Sequence, residues 1–177
     1  MKISDDLRFI CSNIDANLRY AEGKHTAFVA FNGIATFGSF SMLRNLNLEN
    51  VVMFIQIILG ITIFFLICAI ITGIYSFIPI IIRTTESLDR PNLVNDNALF
   101  FEHIKTHSVE SYEKLLYKKY MVQADDISPL DRCIISQVIV NSRLISRKFN
   151  LFKWVAIFDS IAVGLAVSGA VLAMAFR

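Results

Sequence analysis

Thirty-two consecutive residues, 51–82, contain no Asp, Glu, Lys, Arg or His, and this run constrains the fold more than any other stretch. A hydrocarbon layer about 30 Å thick is crossed by roughly 20 helical residues rising about 1.5 Å each, so the run is more than long enough to span a bilayer. Inside hydrocarbon every backbone N–H and C=O must be paired within the segment, which leaves the α-helix for an isolated run. The excess length predicts tilt or a helix projecting past the headgroups, with a kink at Pro79, close to the charge of Arg83. Composition agrees: 55% hydrophobic residues and 15 Phe among 177 are more than a soluble domain of this length carries, and the length predicts one compact unit.

Two further spans frame this one. Residues 26–43 are rich in small side chains, with Ala27, Ala30, Gly33, Ala35, Gly38, Ser39 and Ser41, and small residues at such density let helix backbones approach closely within a membrane. A turn at 44–50 is too short for anything but an antiparallel hairpin with the long run. Residues 152–176 form the third span, with Trp154 at the interface and Ser160, Gly164 and Ser168 along one stripe. That stripe is broader than packing within one chain needs, so it is the expected helix-packing seam of a homo-oligomer.

The polar stretches read as helices on one side of these spans. Over residues 1–25, Leu7, Ile10, Ile14, Leu18 and Ala21 recur at helical spacing behind Asp5 and Asp6 in the first turn, which predicts an amphipathic helix packed on other helices of the chain. A polar linker follows Arg83, and residues 84–151 form a cytosolic helical region. Within it, helices at 99–105 and 109–123 break near 106–108, with Ser108 as cap. Ser128, Pro129 and Asp131 then open a long helix as cap, first residue and third-position carboxylate. Leu130, Ile134, Val138, Asn141, Ile145 and Phe149 continue it at alternating four and three spacing, a coiled-coil-like stripe running on toward the third span.

Lys and Arg are dense before residue 26 and between 83 and 153, whereas the opposite side carries Arg44 and Arg177. This asymmetry predicts a cytoplasmic N-terminus and an outer, periplasmic C-terminus. The fold class is therefore an all-α membrane protein with three transmembrane helices and a cytosolic helical assembly. Counting inward from the cytoplasmic charges, Asn32 lies eight residues past Lys24, Tyr75 eight before Arg83 and Asp159 six past Lys153. All three then fall about 9 to 12 Å below the cytosolic boundary, and a carboxylate at that depth faces protein or water rather than lipid. An intramembrane polar layer of Asn32, Tyr75 and Asp159 is expected.

The net charge of +2 without a long Lys/Arg run argues against nucleic acid as a partner. Cys11, Cys68 and Cys133 have no metal-ligand spacing, and His103 and His107 have no accompanying ligand set, so neither a metal nor a cofactor is expected. No phosphate-binding glycine loop, nucleophile elbow or paired catalytic carboxylates appear in the polar part, and enzymatic chemistry is not expected. The classes left are a ligand-controlled membrane effector, a small channel or transporter subunit, and a structural membrane adaptor that binds a partner through its cytosolic helices.

Ala21-Glu22-Gly23-Lys24 leading into Asn32-Gly33, Pro79 closing the second span, Phe100-Phe101 followed by Tyr112, and residues 134–148 before an apolar helix together resemble the transmembrane effectors of the Pycsar antiphage systems. The resemblance covers nearly the whole chain. It implies a multi-pass protein of the cell inner membrane that responds to a cyclic pyrimidine mononucleotide, made by a partner nucleotide cyclase on infection, by impairing the membrane and stopping growth. A cyclic nucleotide brings one negative charge and an aromatic base, which call for a cation beside an aromatic face. Arg132, Arg143, Arg147, Tyr112 and Tyr120, all in the cytosolic helices, are the candidates for binding this activating ligand.

Overall fold

The computed structural model describes residues 3–44, 50–78, 95–120 and 127–175. Among them all regular structure is helical, in the order α1 (Ile3–Arg44), α2 (Asn50–Tyr75), α3 (Phe101–Ile104), α4 (Val109–Tyr120) and α5 (Pro129–Ala175). The turn at 45–49, the end of the long apolar run with its Pro79 kink, the linker over 84–94 and the end of the second cytosolic helix at 121–123 lie outside the described residues. Three helical stretches, Asp5–Arg44, Met53–Tyr75 and Pro129–Met174, are long and apolar enough to cross a membrane. The chain is an all-α membrane protein with three such helices.

Two of these helices are longer than the elements read from the sequence. α1 is one helix of 42 residues, joining the amphipathic stretch to the small-residue span, because no proline precedes Pro79 and nothing else in the backbone stops it. α5 runs for 47 residues from a capping box: the Asp131 N–H donates to Ser128 Oγ at 3.2 Å, and the Ser128 N–H donates back to Asp131 Oδ2 at 3.0 Å. Upstream, the break between α3 and α4 falls at Lys105–Ser108, where the Ser111 N–H donates to Ser108 Oγ at 3.3 Å and starts α4.

The chain forms two compact units rather than the one expected, Met1–Glu22 with Pro79–Phe149 and Gly23–Ile78 with Asn150–Arg177. Both long helices contribute to both units. The first unit has a closed apolar core: Leu7, Ile10 and Ile14 of α1, Ile104 of α3, Tyr112, Leu115 and Leu116 of α4, and Ile135, Val138, Ile139 and Ile145 of α5. Here α5 buries a wider face than a coiled-coil stripe. Leu130 is 63% exposed, whereas Ile135 and Ile139 are fully buried. The reason is that α5 is packed on two sides. Asn141 Nδ2 donates to Asp15 Oδ1 of α1 at 2.7 Å, and Arg143, about 200° further round the helix, reaches the α3–α4 break.

In the second unit burial is confined to narrow seams. Along α2 and into the turn that ends it the buried positions are Ile55, Leu59, Thr62, Leu66, Ala69, Gly73 and Ser76, alternating four and three as a helix held along one stripe requires. Gly73 is needed there because a Cβ would stand 2.5 Å from Val29 Cγ2 of α1. The other faces present Phe31, Ile34, Phe37, Phe64, Ile71, Val163 and Val167 outward, the surface that hydrocarbon solvates. Four hydroxyls on these helices donate to their own backbone: Thr62 to Ile58 O, Thr72 to Cys68 O, Ser160 to Ala156 O and Ser168 to Gly164 O at 2.7–2.9 Å.

Candidate functional site

The candidate ligand residues of the first unit have different surroundings. Tyr112 is fully buried, its ring is part of the core, and its hydroxyl donates to Ala98 O at 2.7 Å. Arg143 is buried too. Its Nε donates to Lys105 O at 3.0 Å and its Nη2 to His107 O at 3.1 Å, so the guanidinium supplies the donors that the helix break between α3 and α4 lacks. Burial away from water pushes its pKa down. Arg132 is 61% exposed along its side chain and pairs with Glu113 of α4 at 3.0 Å. Arg147 is half-buried, one turn past Arg143 on α5. Tyr120 is the last residue of α4, and its side chain lies outside the described residues. Arg143 and Tyr112 are thus parts of the frame, while Arg132 and Arg147 sit nearer its surface.

Between them the structure builds a polar knot that the sequence reading passed over. His107 is fully buried, its Nε2 stands 3.1 Å from Asp96 Oδ2 and its Nδ1 2.8 Å from Ser111 Oγ. With the Asp96 carboxylate as acceptor, the proton sits on Nε2 and the Ser111 hydroxyl donates to Nδ1. Burial pulls the His107 pKa down, and Asp96 offsets part of that effect. Lys119 Nζ also donates to Asp96 O, and the Asn97 N–H donates to His103 Nδ1 at 2.7 Å. Residues 95–98 are therefore clasped by α3, α4 and the turn joining them. The available signal was the His107–Ser111 spacing of four beside a helix cap, which places both side chains on one face.

In the second unit α1 and α5 run side by side in the same sense. His25 meets Phe152 edge to face at 5.6 Å and Phe28 meets the same ring at 5.0 Å. Seven residues further along each helix, two full turns, lie Asn32 and Asp159. Asn32 is fully buried, Asp159 is 7% exposed, and the two side chains are within interaction range. As placed, none of their four terminal atoms completes a hydrogen bond, and the same is true of Thr36 Oγ1 one turn on from Asn32. Tyr75 does not join them. It is half exposed, off the α2 seam, and the approach of Val29 to Gly73 places Ala69, not Tyr75, level with Asn32. The count from Arg83 misplaced it along the helix, and depth along a helix says nothing of direction around it.

Ser160, Gly164 and Ser168 all lie on the exposed face of α5, and a Cβ added at Gly164 would meet nothing within 4 Å. The stripe takes no part in packing within the second unit. Among the described residues no three His, Cys, Asp or Glu side chains gather as a metal set.

Neither the curated proteins nor the solved structures gave a match. A family model did: that of the Pycsar effector protein domain matches residues 6–176, a range that takes in α2, α3, α4 and α5 and nearly all of α1. By that match over nearly its whole length, the chain belongs to the Pycsar effector family of antiphage defence proteins.

Proposed function

We propose that this protein is a non-enzymatic membrane effector that a cyclic pyrimidine mononucleotide, supplied by a partner nucleotide cyclase, switches on to impair the inner membrane and arrest growth. The observation that carries this reading is the family match over residues 6–176; three helices able to cross a membrane supply the means. In this reading the first unit faces the cytoplasm with the N-terminus, and the C-terminus is periplasmic. Arg132 and Arg147 meet the phosphate and Tyr120 offers the base an aromatic face, while Arg143 and Tyr112 hold the α3–α4 break in shape. Copies of the chain associate through Ser160, Gly164 and Ser168, and Asn32 and Asp159 line the path that opens.

Co-expression with candidate cyclases tests the reading. Growth arrest with loss of membrane potential is expected only when the cyclic pyrimidine mononucleotide is made. Ion flux without any nucleotide would instead make the chain a small channel or transporter subunit, and a fixed co-purifying protein with no flux would make it an adaptor. Calorimetric titration of the purified chain with cyclic mononucleotides tests the residues. Removing Arg132 and Arg147 together should abolish the heat, and an unchanged heat would take both out of the site.

A further inference from the structure

Asn32 and Asp159 present a problem of hydrogen-bond arithmetic. Both are buried, they stand within interaction range on α1 and α5, and none of their terminal atoms completes a hydrogen bond as placed. Buried polar atoms left this way call for an occupant, and an ionisable residue among membrane-spanning helices marks a site with a partner. An ionised Asp159 has two acceptor oxygens and no donor, while Asn32 has one acceptor and an NH₂. The amide can donate to one carboxylate oxygen. The other carboxylate oxygen and Asn32 Oδ1 are then two acceptors facing each other.

One added proton resolves all four terminal atoms of the pair. An Asp159 O–H donates to Asn32 Oδ1, and the Asn32 Nδ2–H donates to the second Asp159 oxygen, closing a ring of two hydrogen bonds with no net charge. A monovalent metal ion would serve the oxygens but leave the Asn32 N–H aimed at a cation. A divalent ion would leave net positive charge in an apolar unit. The α2 face opposite offers no substitute, since Leu66, Ala69 and Gly73 of its buried seam bring neither donor nor charge. Of the other titratable or charged groups, half-buried Cys68 is on α2, His25 lies two turns back on α1, Lys24 lies beside it, and exposed Lys153 is six residues back on α5.

We propose that Asp159 and Asn32 form an intramembrane proton-binding site, in which one proton taken from water ties α1 to α5. Loss of that proton returns two facing acceptors and loosens the pair.

Infrared spectroscopy of the full-length chain in phosphatidylcholine vesicles reads this directly, because a carboxylic acid has a C=O stretch that a carboxylate lacks. At neutral pH, where solvent-exposed carboxyls are ionised, one acid band should persist. It should be absent in Asp159→Asn, whose amide keeps the paired shape, and shifted in Asn32→Leu, which removes the partner. Three results would overturn the proposal: no acid band at neutral pH, a band that survives Asp159→Asn, or a band lost when sodium replaces a bulky organic cation at fixed pH, which would assign the site to a metal ion.

Discussion

The two units handle buried polarity in opposite ways. In the first, His107, Arg143, Tyr112 and Ser142 are buried and each makes a hydrogen bond to a named neighbour. In the second, Asn32 and Asp159 are buried among apolar helices and make none as placed. A half-satisfied polar group in low dielectric is worth less than an apolar one, whereas a closed network rigidifies what it joins. The first unit therefore reads as a closed frame, and the second carries a buried polar pair with no such network around it.

Packing divides the units in the same way, and mutations should show it. The largest effect is expected in the closed core. Ile139→Ala, at a fully buried position of α5, should cost about 2–5 kcal/mol, read as a fall in the thermal midpoint in detergent. Val163→Ala, on an outward face of the same helix, should stay within about 0.5 kcal/mol. Equal effects at the two positions would erase the contrast between a core and a seam.

A middle-sized effect sharpens the picture within the second unit. Gly73→Ala puts a methyl group against Val29 Cγ2 and should cost about 1–3 kcal/mol through overpacking, with Val29→Ala restoring most of it. Gly164→Ala has open space around it and should leave the isolated chain unchanged. If the costs of Gly73→Ala and Val29→Ala simply added, the two residues would not be in contact.

The smallest effect concerns the frame's buried imidazole. Because burial lowers the His107 pKa on folding, the folded form binds its proton less readily than the unfolded chain does. The stabilisation is then fully present above the ordinary imidazole value of about 6.5 and is lost as pH falls through the lowered folded value. Chemical denaturation should show stability declining as pH falls from that ordinary value toward the lowered one, and His107→Asn should flatten the decline. An unaltered slope in the variant would place the acid sensitivity elsewhere.

Much of this architecture is legible in the sequence because its signals are local. The capping residues Ser108, Ser128 and Asp131, the apolar recurrence through Leu7, Ile10 and Ile14, and the uncharged run of α2 all depend on neighbours within a turn or two. The rest depends on what arrives from elsewhere. No spacing within α5 announces that α1 and the α3–α4 break grip it on two sides, so the stripe through Leu130 and Ile134 was read too narrow. Arg143 looks like a surface charge until two carbonyls of a distant helix break need donors. Tyr75 stands on an exposed face of α2, away from the level of Asn32. Asn32 and Asp159 come together because both lie on the buried faces of parallel helices, which no spacing within either helix states.

The serines of α5 carry a last consequence. Ser160 and Ser168 already give their hydroxyl hydrogens to the carbonyls of Ala156 and Gly164, although both stand on the exposed face. Such a stripe can meet acyl chains at one moment and a second copy at another with no hydrogen bond broken or made. In the association we propose, closing it gains contact between surfaces and little else. Assembly through this face should therefore be indifferent to salt, responsive to lipid composition, and undone as readily as it forms.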